Sequence, residues 1–282
     1  MLGASRMGAA PSASEEGEGE PPLTPSTCTF TRLVAKMAAD KIVPVALELG
    51  GKSPMVVMGD ADLKRAVAGA IAGMRFTRQG QSCTAASRII VHRSLIDEFL
   101  AEMKAAVNAM VMGDPLDEAT DIGTIISKQQ FEKVKAYIKR GEADGGVAHS
   151  LSQVPTDPKL GEGYYVQPVI FTDLPSDSPV ITEEIFGPVT ALIPFDDYEE
   201  AVEIANSSEY GLGATIWTKD LKTAMNAVHR LEAGFVQVNQ NLVVLPGLSY
   251  GGFKKSGIGK EASLEAMLDH FTHKKTIIIN MT

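Results

Sequence analysis

From about residue 31 the chain alternates between two hydrophobic periods. Apolar positions every three or four residues predict helices, and short runs of β-branched and aliphatic residues between turn signals predict strands. "DADLKRAVAGAIAGMRF" (60–76) has helical spacing, with Asp60 and Asp62 as capping residues. "RIIVHR" (88–93) predicts a strand. "SLIDEFLAEMKAAVNAMVMG" (94–113) predicts a helix opened by a Ser94/Asp97 capping box and closed at Gly113. The order then repeats. "SKQQFEKVKAYIKRG" (127–141) has Ser127 and Gln130 as a second capping box, and "YYVQPVIFTDL" (164–174) and "VTALIPF" (189–195) follow as strands. Helix, strand, helix and strand succeed one another through 196–211, 213–218, 220–234 and 234–239. A late helix falls at 259–271, and "KKTIIINM" (274–281) predicts a terminal strand on an edge or in a partner's sheet. This alternation predicts an α/β domain with a largely parallel layered sheet.

Composition narrows the partners. With 44% apolar residues in 282 the chain can bury a substantial core, and its formal charge of −9 comes with no sustained basic run. Nucleic acid is therefore excluded as an expected partner. The first 26 residues, rich in Gly, Ala, Ser, Glu and Pro, cannot offset their ordering entropy and predict a disordered low-complexity tail. The acidic "EEGEGE" within them argues against a mitochondrial transit peptide. No apolar run approaches the length that spans a bilayer, so a soluble, cytoplasmic protein without membrane contact is expected. Two cysteines, Cys28 and Cys83, and five histidines show no metal-ligand spacing, so no metal site is predicted.

Four stretches carry candidate chemistry because glycines or polar residues interrupt regular elements. In "LELGGKSP" (47–54) the apolar "IVPVAL" leads to Glu48, a carboxylate at the end of an expected buried strand. Gly50 and Gly51 after it permit a sharp turn or a ligand's close approach; a purely structural turn fits the same residues. A phosphate-binding loop is rejected, because its first glycine would fall at Ala46. In "QGQSC" (79–83) Cys83 has polar neighbours. If it opens a short helix through "TAASR", the helix N-terminus would favour its thiolate; a shielded structural thiol is the other reading. "EEIFGPV" (183–189) offers Glu184 as an acceptor for ribose hydroxyls and Phe186 as a face for a flat heterocycle, or else an acidic turn and a core aromatic. "SYGGFKKSGIGKE" (249–261), with four glycines in thirteen residues, reads as a structured loop over a site or interface.

Taken in this order, the four stretches resemble the signature series of the NAD(P)-dependent aldehyde dehydrogenase superfamily, and the resemblance runs from about Arg32 to Thr282. It implies that Cys83 is the nucleophile, adding to an aldehyde to give a thiohemiacetal that loses hydride to nicotinamide and becomes a thioester. The Cys83 backbone N–H would form half of an oxyanion hole. Glu48 would be the base that activates water to hydrolyse the thioester. Glu184 would hold the nicotinamide ribose, Phe186 would lie beside that ring and Gly50 would admit the cofactor, which is NAD or NADP. The resemblance also implies a homo-oligomer joined through the C-terminal strand.

The family's "PWNFP"-like segment, its lysine-bearing strand for the adenosine ribose and its glycine-rich pyrophosphate turn are not seen, and Thr31 stands where a glycine is usual. The expected organisation is a tail at 1–26, a remnant of the dinucleotide-binding domain at 27–49, a catalytic domain at 50–248, and an active-site loop, helix and oligomerisation strand at 249–282. The chain thus resembles the family's catalytic half, and weak or absent nicotinamide-dependent turnover by this chain alone is expected. Two alternatives stand beside it: a cofactor-independent Cys/Glu ester or thioester hydrolase, and a non-catalytic assembly chain.

Overall fold

A computed structural model describes residues 27–241 and 245–282, so the expected tail at 1–26 lies outside the described residues. In chain order the elements are α1 (Thr27–Asp40), β1 (Leu47–Glu48), β2 (Pro54–Val57), α2 (Leu63–Met74), β3 (Arg88–His92), α3 (Ile96–Asn108), α4 (Lys128–Ala143), β4 (Val147–Ser150), β5 (Val169–Thr172) and α5 (Pro179–Thr182). There follow β6 (Val189–Phe195), α6 (Tyr198–Asn206), β7 (Tyr210–Gly211), β8 (Gly213–Trp217), α7 (Leu221–Arg230), β9 (Phe235–Val238), β10 (Phe253–Lys254), β11 (Gly257–Ile258) and α8 (Leu264–Phe271).

Seven strands form one sheet in the order β4-β5-β6-β3-β2-β8-β9. All its pairings are parallel except β4 with β5, at one edge. Strands β2 and β3 are buried on both faces, which is why they read as unbroken apolar runs. Met55, Val57, Ile89 and Val91 meet Phe99 and Met103 of α3 on one side of the sheet. Val56 and Ile90 meet Ala201, Ala205 and Ala227 of α6 and α7 on the other. The largely parallel layered α/β sheet is as expected.

Several local expectations are corrected. Only Asp62 caps α2, accepting from the Arg65 N–H at 3.2 Å. Asp60 instead accepts from Thr218 Oγ1 at 2.8 Å and the Lys219 N–H at 2.9 Å, tying β8's exit to the sheet. Helix α3 begins at Ile96 and ends at Asn108, short of Gly113, while Ser94 is bonded to His92 Nδ1 at 2.8 Å. Strand β5 is shorter than the 164–174 run, because Pro168 can donate nothing to a ladder. Residues 42–46 form no strand, and β1 is a two-residue ribbon with β11 rather than the end of a buried strand. Residues 274–281 likewise have no strand assigned in the single chain.

Candidate active site

The cysteine loop is shaped by its backbone. After α2 the chain passes through a single 3₁₀ turn, Phe76–Arg78, flanked by left-handed Arg75 and Gln79. Gly80 follows at φ 63°, with its Cα so close to the next loop that a Cβ would stand 2.1 Å from the Gly187 carbonyl oxygen. A glycine is needed there on both counts. Cys83 sits on the tight turn that closes when the Ala85 N–H reaches the Ser82 carbonyl at 3.1 Å, with its thiol half-buried. No helix starts at Cys83, so, contrary to the expectation, no helix N-terminus favours its thiolate. The polar neighbours serve the scaffold. Gln79 Nε2 donates to the Gly123 carbonyl at 2.7 Å, and Gln81 Oε1 accepts from the Ile126 N–H at 3.0 Å.

The "LELGGKSP" stretch touches all three other motifs. A Cβ on Gly51 would stand 2.5 Å from the Cys83 carbonyl oxygen, and the Gly51 N–H donates to Glu184 Oε1 at 3.1 Å. At Gly50 a Cβ would stand 2.2 Å from Glu184 Oε2. Glu48 lies just before this turn, where β1 pairs it with Gly257, and its Oε1 is 2.7 Å from the position of a Cβ on Gly251. Partial burial, and then the neighbouring Glu261 carboxylate, push Glu48 up to about 7; Lys260 opposes them. A carboxyl poised there exchanges protons at neutral pH.

Tyr250 closes the same space, with its hydroxyl 3.8 Å from Cys83 Sγ and its ring 5.7 Å from that of Phe235. Burial, then Cys83, push its phenol well above the usual tyrosine range, with Glu48 and Glu261 adding to the effect. Lys260 donates to the Gly251 carbonyl and stands 4.7 Å over the Phe253 ring. Sequence reasoning placed Tyr250, Lys260 and Glu261 in a loop "over a site" but assigned none of them.

Glu184 and Phe186 are held from the opposite side by α4. Lys133 Nζ donates to the Glu184 carbonyl at 3.2 Å, and Gln130 Nε2 to those of Ile185 and Phe186 at 2.8 and 2.9 Å. The second capping box is thereby half corrected: Ser127 accepts from the Gln130 N–H at 3.3 Å, but the Gln130 side chain turns to the loop. Gln130 and Lys133 are one helical turn apart, and that spacing was the available signal. Phe186 adopts φ 57° and is 37% exposed as a residue, an unfavourable backbone for an aromatic residue and the reverse of a packed core residue. Burial raises the Glu184 carboxyl above its ordinary range, and it lowers the fully buried Lys52 to about 7. Among the described residues Lys52 Nζ has no hydrogen-bond partner.

A nicotinamide riboside suits these atoms. The side-chain-free Gly50–Gly51 backbone leaves room for the Glu184 carboxylate, a group able to accept from vicinal hydroxyls, and Phe186, two residues on, is an exposed aromatic. The described residues contain no cluster of three groups able to hold a metal ion, and no helix long and apolar enough to cross a membrane.

Residues 23–277 match the aldehyde dehydrogenase family. The chain belongs to that family. The betaine aldehyde dehydrogenase of Rhizobium leguminosarum bv. trifolii is 44% identical over 259 residues, 92% of this chain and 52% of the relative. That of Brucella anthropi is 36% identical over 92% of this chain and 53% of the relative. Among solved structures, the NAD⁺ complex of an aldehyde dehydrogenase from Bacillus cereus superposes with a TM-score of 0.85 at 36% identity, covering 91% of this chain and 51% of that one. The betaine aldehyde dehydrogenase of Staphylococcus aureus in complex with NAD⁺ gives 0.81 at 32% identity over 86% and 48%. This aldehyde dehydrogenase chain spans about half the length of the curated relatives it matches.

Proposed function

We propose that this chain oxidises an aldehyde to a carboxylic acid, with Cys83 as nucleophile, Glu48 as base and Gly50, Glu184 and Phe186 as the contacts of NAD or NADP. One observation carries the reading. The Gly51 N–H donates to Glu184 Oε1 at 3.1 Å and a Cβ on Gly51 would stand 2.5 Å from the Cys83 carbonyl oxygen, so the loops that carry the proposed nucleophile and ribose acceptor meet at one glycine turn.

The Cys83 sulfur adds to the aldehyde carbon, and the carbonyl oxygen takes up the negative charge. Bound nicotinamide supplies a hydride acceptor, which lets that carbon become a thioester. Glu48 then takes a proton from water, the water oxygen bonds to the thioester carbon, and the sulfur leaves as thiolate with the carbon–sulfur bonding pair. Glu48 sheds its proton to solvent, to which its side chain is open. Residues 27–49 are read as a remnant of the dinucleotide-binding domain, and betaine aldehyde is the first substrate to test, given the names of the relatives.

Brief iodoacetamide treatment near neutral pH, followed by mass spectrometry, tests the reading. Cys83 is expected to label faster than Cys28, NAD is expected to alter its rate, and betaine aldehyde with NAD is expected to yield measurable NADH. Slow labelling indifferent to NAD, with no NADH, would overturn it. The homo-oligomer remains part of the proposal, supported by the exposure of Ile277, Ile278, Ile279 and Met281 in the single chain. Light scattering should therefore give a mass above that of one chain, and a monomer at micromolar concentration would count against that contact.

A further inference from the structure

We infer that the Tyr250 hydroxyl is a positioning residue for Cys83: its O–H donates to the sulfur and holds the thiolate in one orientation. The inference rests on the reading of Cys83 as nucleophile. The two atoms lie 3.8 Å apart, within the longer range of hydrogen bonds to sulfur, and a phenol is a far better donor than a thiol. Tyr250 is not free to swing away. Its N–H donates to the Glu261 carbonyl at 2.9 Å, its carbonyl accepts from the Glu261 N–H at 2.7 Å, and its ring leans on Phe235 of β9. The groups facing it are Cys83 from the 79–84 loop, Glu48 from β1 and Glu261 across the bridge. Burial, and then three neighbours that are anionic when ionised, make loss of the phenolic proton unfavourable, so the oxygen keeps the hydrogen it donates.

The bond is strongest while sulfur carries charge. It weakens once the sulfur is in a thioester and re-forms as the thiolate departs. Tyr250 would thus favour the reactive form at the start and the leaving group at the end, with its proton staying on oxygen throughout.

The test compares the native chain with Tyr250→Phe, which keeps the ring. Cys83 alkylation by iodoacetamide is followed from pH 6 to 10 on the Cys83 peptide. The variant is expected to react about tenfold more slowly at pH 7 and to approach the native rate by pH 10. Superimposable profiles, or a slowing uniform across pH, would overturn the inference, since loose packing alone moves every point alike. A second measurement needs no change at Tyr250. In chains labelled with ¹³Cζ-tyrosine, Cys83→Ala is expected to let one tyrosine titrate at lower pH, and an unmoved titration would refute the contact even if Tyr250→Phe failed to fold. Neither readout requires cofactor or aldehyde, so it can fail or succeed independently of NADH formation.

Discussion

A Glu48→Gln chain is expected to acylate once and stop. With p-nitrophenyl acetate, which loads an acyl group onto a thiol without any cofactor, it should release close to one equivalent of nitrophenolate in a burst. The steady rate that follows should fall about 10²- to 10⁴-fold below that of the native chain. In the proposed mechanism Cys83 supplies the first step, and the amide of glutamine fills the place of the carboxylate without being able to take a proton from water. The pH dependence has a definite sign. The carboxyl titrates at about 7, so the native steady rate should climb as pH rises through 7 and then level, while the residual rate of the variant lacks that step. Stability runs the other way. A carboxyl raised above its unfolded value holds a proton longer in the folded chain, so its favourable contribution is complete below about 4.5 and is lost as pH rises towards 7. Glu48→Gln should flatten that loss, modestly, because the group is partly hydrated. Continued turnover by Glu48→Gln at the native rate would remove Glu48 from the mechanism.

How much of this was legible beforehand depended on how far apart the interacting residues lie. Strand β6 and the span of α2 follow from period alone, because burial on two faces or along one stripe writes itself into neighbouring residues. The site stretches were equally visible as glycines and polar residues inside regular elements. What could not be read was pairing across the chain. Asp60 looks like a second cap for α2 until its partners at Thr218 and Lys219 are known. Gln130 looks like half a capping box, yet holds the carbonyls of Ile185 and Phe186. Cys83 looked ready to start a helix, but the left-handed residues before it and a tight turn at Ser82 send the chain directly into β3. Tyr250 faces a sulfur 167 positions away, a relation no local pattern encodes.

Arg88 is the strongest case of such distant pairing, and its loss should cost the most stability. In the sequence it is only the first residue of an apolar strand. In the fold it is 1% exposed, and its guanidinium fans out to three carbonyls: Lys52 at 3.0 Å through Nε, Ile204 at 2.9 Å through Nη1 and Ala205 at 2.8 Å through Nη2. The last two are in the final turn of α6, where a cation also meets the negative end of the helix dipole. Burial lowers Arg88 to about 10, which still leaves it charged at neutral pH. Arg88→Ala would strand buried carbonyls at roughly 1–3 kcal/mol each and open a cavity, partly offset by no longer burying a charge, for a net loss of about 4 kcal/mol. Arg88→Lys should recover little, because one ammonium cannot span three acceptors arranged for a planar fork. Urea denaturation checks both, and a loss under about 1 kcal/mol for Arg88→Ala would show that water or a shifted helix can satisfy those carbonyls. The consequence for chemistry follows from the first of the three bonds. Lys52 directly follows the Gly50–Gly51 turn that meets Cys83 and Glu184, so releasing its carbonyl loosens the turn around which Cys83, Glu48 and Glu184 are gathered. Any Arg88→Lys chain that folds should therefore show slower Cys83 alkylation and weaker NAD dependence together.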